Sequence, residues 1–194
     1  MMQVMIRLAL HLLALSPFAY YLYAALNQTL GADPQEVLLH GFAIWALRFL
    51  LLSLAVSPAR RLFKANYLIR YRRMLGLYFF FYLCLHLLVY LWFFLGWQWV
   101  TIGEEIVERP YITIGMLAFL LTIPLVVTST KGMQRRLRQT WSKLHKLVYP
   151  IAILSIIHFI WQSKADLNEP FVYLIILMFL LSFRIRPYLA KLRA

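Results

Sequence analysis

The sequence predicts an all-α integral membrane protein, a bundle of six transmembrane helices. Its 194 residues are 63% hydrophobic and have a mean hydropathy of +0.72, which is more apolar surface than a soluble domain of this size can bury. Apolar runs of about 20 residues recur along the chain, and a helix of that length crosses a hydrocarbon core about 30 Å thick. The single cysteine, Cys84, excludes an intrachain disulfide and a cysteine-based zinc or iron–sulfur site.

Six apolar segments can be placed in order along the chain. Each is close to the length needed to span a membrane, and together they are expected to form one domain over residues 1–194. The first segment is longer than the apolar core of a signal peptide and is therefore interpreted as an uncleaved helix. Prolines inside the segments are tolerated because neighbouring helices can satisfy the freed carbonyl groups. The predicted spans are residues 6–26, 36–57, 74–96, 111–130, 144–162 and 170–183.

The distribution of charge predicts how these spans are oriented. Of the 20 Lys and Arg residues, 17 lie at Arg7 and in three clusters, 60–73, 131–146 and 184–193. All seven acidic residues lie at the opposite ends of the spans, in the alternate connections or, for Glu36, at the first residue of the second span. The positive-inside rule therefore places both termini in the cytoplasm. Short basic clusters between apolar runs fit membrane topology better than a nucleic-acid surface, so no nucleic acid is expected as a partner.

Two of the predicted spans carry a deep histidine. His86 is 12 residues into the third span, and His158 is 14 residues past Leu144 in the fifth. With a rise of about 1.5 Å per residue, His86 lies at a depth of about 18 Å and His158 at about 21 Å. Both spans start from the same side, so the imidazoles are expected at similar depth on parallel helices. Ionisable groups inside a bilayer usually face the bundle interior and often mark function. The alternative is that each imidazole only bonds a carbonyl group of a neighbouring helix.

A histidine pair in apolar surroundings is what a b-type heme requires. The iron takes one imidazole on each face, and flat apolar side chains sandwich the macrocycle. The sequence therefore predicts that His86 and His158 ligate a heme iron. Nearby aromatic side chains could supply the packing or could simply face lipid: Phe79, Phe80, Phe81, Tyr82, Tyr90 and Phe159.

A second heme nearer the cytoplasm is suggested by His145, at the start of the fifth span. The position at matching depth on the third span is Arg72, fourteen residues before His86 and therefore about four helical turns away on the same face. Because arginine is almost never neutral it is an unusual iron ligand, so Arg72 is predicted to contact a heme propionate or to set topology. His145 and His158 are about 140° apart on an ideal helix, although Pro150 between them can rewind it.

Three further ionisable residues in the spans are less informative. Arg48 lies deep in the second span, and no acidic residue lies at that depth. Its predicted partner is a propionate or phosphate of a cofactor, and the alternative is that it extends toward the cytoplasm. His11 lies in the first span, and His40 lies near the outer end of the second. The sequence does not distinguish a cofactor or quinone role from a packing role for either residue.

Six stretches of the sequence, in this order and with this topology, resemble one family. They are similar to the heme-bearing membrane subunits of bacterial periplasmic methionine sulfoxide reductase systems, which are small members of the ferric-reductase-like transmembrane family. The resemblance covers essentially the whole chain. The stretches are LGADP (30–34), LIRYRRMLGL (68–77), LHL (85–87), RPYITIG (109–115), TSTKGMQRRL (128–137) and WSKLHKLVY (141–149).

The resemblance implies a bundle in the bacterial inner membrane that binds one or two hemes b, with iron ligands at His86, His145 and His158. Larger relatives have two histidines on each of the two helices, and Arg72 stands here where the fourth would be. The resemblance also implies that electrons pass from a cytoplasmic flavin reductase or the quinone pool to a periplasmic molybdopterin-containing subunit. That subunit would reduce methionine sulfoxide in oxidised envelope proteins, and FMN would bind on the cytoplasmic side.

The chain is thus expected to be an electron-transfer subunit, embedded in membrane lipids, rather than the catalytic subunit of the complex. The nearest alternative is a stand-alone ferric reductase or oxidase-like core that shares the hemes and reduces small oxidants at the outer face. A transporter or scaffold is a different class, in which the histidines relay protons or pack, and it predicts no pigment. Deep acidic residues would favour the transporter, and no predicted span has one in its middle.

Overall fold

The fold is all-helical. A computed structural model describes residues 2–163 and 166–192, and within these residues it has no β-strand. Short 3-10 turns at Asn66–Tyr71 and His145–Leu147 precede two of the helices, and a π-helical turn at Tyr90–Phe94 follows a third. The α-helices are α1 (Met2–Leu26), α2 (Pro34–Leu62), α3 (Arg72–Val89), α4 (Trp99–Glu108), α5 (Pro110–Val127), α6 (Lys131–Leu144), α7 (Val148–Gln162) and α8 (Asn168–Leu192).

Five of the six predicted spans are confirmed as segments that are long and apolar enough to cross a membrane. These segments are 4–26, 34–62, 66–94, 110–127 and 131–162. The protein is therefore a multi-pass membrane protein. Helix α8 covers the sixth predicted span, 170–183, but is not among the five, so the count of six and the sides of the termini remain predictions.

Two helices occupy segments that the sequence analysis assigned to loops. Helix α4 lies between the third and fourth spans, and its side chains Trp99, Val100 and Val107 are all more than 70% exposed. Helix α6 carries the basic cluster before α7 and starts at Thr130, whose hydroxyl accepts a hydrogen bond from the amide of Met133 (3.2 Å). Both helices are too short to span a bilayer alone, so apolar length in the sequence does not predict them as separate helices.

Helix α2 is the centre of the bundle. It packs against α3 along its length and also contacts α1, α7 and α8, while α5 packs against α7. In the most apolar 18-residue stretch of α2, half of the residues are buried, compared with 11% in that of α1. The outward faces of the other helices expose large apolar side chains, such as Leu13, Trp92 and Ile175, each more than 60% exposed. Such a surface suits a hydrocarbon solvent, in which only the backbone needs internal hydrogen bonds.

A tyrosine of α3 completes the backbone hydrogen bonds of α1 next to Pro17. The Tyr82 side chain is fully buried. Its hydroxyl donates to the carbonyl of Ala14 (2.7 Å) and accepts from the amide of Phe18 (3.2 Å). In an unbroken helix these two groups would pair with each other. The Tyr82 hydroxyl therefore bridges an opened turn of α1 and attaches α1 to the core.

Replacing Tyr82 with phenylalanine is expected to destabilise the protein by about 1–3 kcal/mol, because one buried donor and one buried acceptor lose their partner. The measurement is the thermal unfolding temperature of the protein in detergent. Tyr78→Phe is the matched control, since the Tyr78 hydroxyl bonds His11 at an exposed position one turn away. Equal melting temperatures for the Tyr82→Phe variant and the wild type would show that the bridge contributes nothing.

Candidate functional site

A cavity of about 620 Å³ lies inside the bundle between α2, α3, α5 and α7. Its walls are mostly apolar and include Phe79, Leu83, Met116 and Phe119. One end is polar, because acidic residues from α2, α4, the segment before α8, and α8 itself contribute to the lining: Glu36, Glu105, Asp166 and Glu169. We call this the acidic end of the bundle, and the end that carries the three Lys and Arg clusters the basic end. The volume is within the range of about 300–1,000 Å³ typical of ligand and cofactor sites.

His86 and His158 both line this cavity, as the matching depths predicted. Helix α3 supplies His86 and helix α7 supplies His158. Their ring centres are 6.4 Å apart, and the ring planes make an angle of 77°. The structure therefore brings the two predicted residues together from different helices.

Hydrogen bonds to backbone carbonyls fix which nitrogen of each ring carries the proton. Nδ1 of His86 lies 3.0 Å from the carbonyl oxygen of Leu39, and Nδ1 of His158 lies 2.7 Å from that of Tyr111. A carbonyl oxygen can only accept, so each Nδ1 must donate and each neutral ring keeps a lone pair on Nε2. Within the described part of the chain, neither Nε2 makes a hydrogen bond. Histidine ligands of metals are characteristically held this way, with the second nitrogen donating to a carbonyl or carboxylate.

The residues present fit a bis-histidine heme. A bond from an imidazole nitrogen to a metal ion is about 2 Å long, and the ring centre lies about 1 Å behind that nitrogen. Two imidazoles on opposite sides of one ion therefore have ring centres roughly 6 Å apart. The observed 6.4 Å agrees with this value. No cluster of three or more His, Cys, Asp or Glu residues that could hold a bare metal ion occurs in the described residues. The donor set thus suits an ion that brings its own equatorial ligands, as heme iron does.

Gly115 of α5 allows the close approach of the His158 ring. A Cβ atom at this position would lie 2.8 Å from Nδ1 and 2.9 Å from Cε1 of His158. These separations are below van der Waals contact, so any other residue would push the ring away from the carbonyl of Tyr111. Gly115 ends the stretch RPYITIG, but no pattern in the sequence indicates that its role is to make room for His158.

A network of four polar side chains lines the acidic end of the cavity. The Tyr90 hydroxyl donates to Oε2 of Glu105 (2.8 Å), and Nη2 of Arg109 lies 3.0 Å from Oε1 of the same carboxylate. Nη1 of Arg109 donates to the hydroxyl of Tyr111 (3.3 Å), whose carbonyl group holds His158. The network therefore ties α4 to the histidine pair. The network could not be predicted from the sequence, because the segment around Glu105 has the charge and length of a loop.

His145 lies in a different environment, at the basic end. Its Nε2 is 3.0 Å from Oγ1 of Thr128, and that hydroxyl gives its own proton to the carbonyl of Pro124 (2.6 Å). Nε2 of His145 must therefore be the donor, which leaves the lone pair of the neutral ring on Nδ1. Trp141 stacks on the ring, with centres 4.0 Å apart and planes 26° apart. Arg72, the predicted partner at matching depth, is the first residue of α3 and makes no hydrogen bond to His145 within the part of the chain that the structure describes.

The remaining predicted residues lie outside the histidine cavity. Among the residues that the structure describes, the cavity lining includes neither Arg72, Arg48 nor His145. Nε of Arg48 donates to the hydroxyl of Tyr173 (2.8 Å), and its guanidinium carbon lies 4.8 Å from the ring centre of Trp45. Arg48 thus has partners within the chain. They are a hydroxyl group and an aromatic ring, so the absence of an acidic residue at its depth did not indicate them.

The other two histidines have polar partners of their own. Nε2 of His40 accepts a hydrogen bond from the side-chain amide of Gln162 (3.0 Å), and its Nδ1 lies 3.9 Å from a carboxylate oxygen of Glu36. His40 lines the polar part of the cavity. Nδ1 of His11 lies 2.7 Å from the hydroxyl of Tyr78. His40 therefore lies near the His86–His158 pair, and His11 contacts a side chain of α3.

The fold and the site define a multi-pass helical membrane protein with a paired-histidine centre. Residues 40–156 match the family described as "Ferric reductase like transmembrane component". Curated relatives carry the name "Protein-methionine-sulfoxide reductase heme-binding subunit MsrQ". The protein of Xanthomonas campestris pv. campestris (strain B100) is 51% identical over 159 residues, 82% of this chain and 73% of the relative.

A second Xanthomonas relative and a more distant one cover more of the chain. The protein of Xanthomonas euvesicatoria pv. vesicatoria (strain 85-10) is 46% identical over 90% of this chain and 83% of its own length. That of Rhodospirillum rubrum is 44% identical over 97% of this chain and 91% of its own length. No solved structure matches the chain. The chain belongs to the ferric-reductase-like transmembrane family, within the group formed by the MsrQ subunits, which confirms the resemblance seen in the sequence.

Proposed function

We propose that the protein is the b-type cytochrome subunit of a methionine sulfoxide reductase system in the bacterial inner membrane. It passes electrons from a cytoplasmic flavin reductase or a quinol to a periplasmic molybdopterin-containing reductase. The observation that carries the proposal is the histidine pair, in which both Nδ1 atoms donate to carbonyl groups and both Nε2 atoms are left with a lone pair. The name of the relatives, heme-binding subunits of such a reductase, supports the same assignment.

His86 and His158 would hold the heme through Nε2. When bound, heme supplies reversible one-electron chemistry, with a potential tuned by its ligands and surroundings. The carbonyls of Leu39 and Tyr111 fix the two ring orientations, and Gly115 makes room for the second ring. The apolar walls of the cavity exclude water from the centre. The protein therefore controls position and potential and has no substrate chemistry of its own.

A second cofactor at the basic end would be held by His145 and Arg72. The available nitrogen of His145 is Nδ1, because Nε2 is bonded to Thr128. The cationic Arg72 suits an anionic group such as a heme propionate or the phosphate of FMN. In this proposal electrons enter at the cytoplasmic face, which the basic clusters mark, and leave at the acidic end near the periplasmic partner. Arg48, with its partners Tyr173 and Trp45, has a supporting role in α2 packing.

The choice of electron acceptor tests this proposal against a stand-alone ferric reductase or oxidase-like core. The acidic lining of the cavity, which includes Glu36, Asp166 and Glu169, disfavours anionic oxidants such as ferric citrate. We expect the reduced, purified protein to be reoxidised rapidly by the periplasmic reductase subunit with methionine sulfoxide, and much more slowly by ferric citrate. Stopped-flow absorbance of the heme measures both rates, with the reductase subunit lacking methionine sulfoxide as the control. Faster reoxidation by ferric citrate than by the partner would support the stand-alone reductase instead.

A further inference from the structure

A second cavity opens beside the histidine cavity, between α1, the connection after it, α2 and α8. Its volume is about 490 Å³, again within the range of about 300–1,000 Å³ typical of ligand sites. We call it the side pocket. Its walls include Tyr21 of α1 and Val37 and Trp45 of α2. Four residues line both cavities, which are therefore adjacent: Glu36, His40, Ile44 and Glu169.

Arg48 is exposed to the side pocket and has hydrogen-bond donors that the chain does not use. It lies fourteen residues from each end of α2, or about 21 Å along the helix. Its packing role uses Nε, which donates to Tyr173, and the guanidinium face, which lies against Trp45. Nη1 and Nη2 carry four more N–H groups. Within the described part of the chain none of them makes a hydrogen bond or an ion pair. Since a charge at mid-span is costly without polar partners, these donors suit an acceptor oxygen in the side pocket.

The lining of the side pocket favours a neutral acceptor over an anion. An anionic headgroup near Arg48 would also be repelled by three carboxylates of the same lining: Asp33, Glu36 and Glu169. The rings of Tyr21 and Trp45 suit a flat, apolar ligand. A lipid-soluble quinone has both properties, because it is an uncharged ring with carbonyl oxygens that accept hydrogen bonds.

The side pocket lies close to the histidine pair through one residue of α2. His40 lines both cavities and directly follows Leu39, whose carbonyl accepts the hydrogen bond from Nδ1 of His86 (3.0 Å). One peptide group and one hydrogen bond thus connect the wall of the side pocket to the His86 ring. A redox-active ligand in the side pocket would therefore lie next to the ring that holds the heme.

We propose that the side pocket binds a lipid-soluble quinol and its quinone, with Arg48 donating to a ring oxygen. The inference rests on the proposed function, in which a quinol is one of the two candidate electron donors, and it gives that donor a place on this chain. Oxidation of one quinol to the quinone releases two electrons and two protons. The electrons reduce ferric heme to ferrous heme in two successive steps, between which the periplasmic reductase reoxidises the heme. Carboxylates of the lining, such as Glu36, accept the protons.

The side pocket is a second point of entry for electrons. It leads directly to the His86–His158 centre, so a quinol bound there does not need a cofactor at His145. The cofactor proposed at the basic end then serves the flavin reductase alone. The His145→Leu variant should therefore be reduced by a quinol as fast as the wild type.

The first test measures how fast decylubiquinol reduces the heme of the purified full-length protein, by anaerobic stopped-flow absorbance. Arg48→Leu removes the free donors, and Val37→Trp fills the side pocket without touching Arg48. We expect each variant to be reduced at least tenfold more slowly than the wild type by decylubiquinol, and to the same extent by dithionite. Val107→Trp is the matched control with wild-type rates, because Val107 is 82% exposed and is in the described lining of neither cavity.

The second test does not depend on heme. Oxidised decylubiquinone should raise the melting temperature of the wild type by about 3 °C or more near tenfold saturation, and the Arg48→Leu and Val37→Trp variants should lose this rise. Equal rates and equal rises in these variants and the wild type would overturn the site. So would a rise with phosphatidylglycerol but none with the quinone, because a phospholipid would then occupy the side pocket. A heme-containing wild type that decylubiquinol does not reduce overturns the quinol role and leaves the heme assignment intact, whereas a protein without heme overturns the proposed function itself.

Discussion

Replacing His86 or His158 with leucine is expected to abolish the low-spin b-type heme spectrum of the purified protein. Each substitution removes one of the two Nε2 lone pairs that face the cavity, and a single remaining imidazole cannot hold the iron in a six-coordinate bis-histidine state. Leucine is apolar and similar in size, so the bundle should still fold. The measurement is the absorbance spectrum of each variant before and after reduction with dithionite.

His40→Leu is the matched control, because His40 lines the same cavity but bonds Gln162 and faces Glu36. Its spectrum should keep the low-spin heme signal of the wild type. His145→Leu should keep the signal of the His86–His158 centre and lose only the contribution of a second cofactor. If the His86→Leu and His158→Leu variants both kept the full wild-type spectrum, the ligand assignment would be wrong.

Replacing Gly115 with alanine is expected to lower heme affinity by about tenfold or more. The new methyl group would sit within 3 Å of two ring atoms of His158, so the ring must move or the helices α5 and α7 must separate. Inserting one methyl group into a packed site typically costs about 1–3 kcal/mol, and about 1.4 kcal/mol is a factor of ten in binding. Displacing the ring also lengthens its hydrogen bond to the carbonyl of Tyr111, which sets the tautomer.

The measurement is the heme content per chain after purification and after challenge with a heme-accepting apoprotein. Gly76→Ala is the control, because a Cβ atom at Gly76 of α3 would meet nothing within 4 Å. The control should retain wild-type heme content and melting temperature. Wild-type heme retention by the Gly115→Ala variant would show that the close approach does not determine how the ring is held.

The membrane spans and the His86–His158 pair could be predicted from the sequence because both depend on distances along single helices. Apolar length sets a span, and a rise of about 1.5 Å per residue sets the depth of a side chain. The angle between His145 and His158 around the helix axis could not be predicted in the same way, because it depends on how the helix is wound between them. The structure has a 3-10 turn at His145–Leu147. Three residues that each turn by about 120° rather than about 100° would reduce the ideal angle from about 140° to about 80°.

Features that depend on contacts between helices could not be read from the sequence. The role of Gly115 depends on how closely α5 approaches α7, and the carbonyl partners of the two histidines depend on the packing of α2 and α5. Arg48 finds a tyrosine 125 positions later rather than an acidic residue at its own depth. Helices α4 and α6 are amphipathic and lie almost entirely outside the six spans predicted from the sequence, where their charged residues resemble those of loops.

Whether His86 and His158 bind heme can be measured on the wild-type protein purified from heme-replete cells. The measurement is its absorbance spectrum before and after dithionite, combined with a pyridine hemochrome assay. We expect the spectrum of a low-spin b-type cytochrome with at least one heme for each chain. A correctly folded and inserted protein without colour would contradict it, because the histidine pair would then hold no iron.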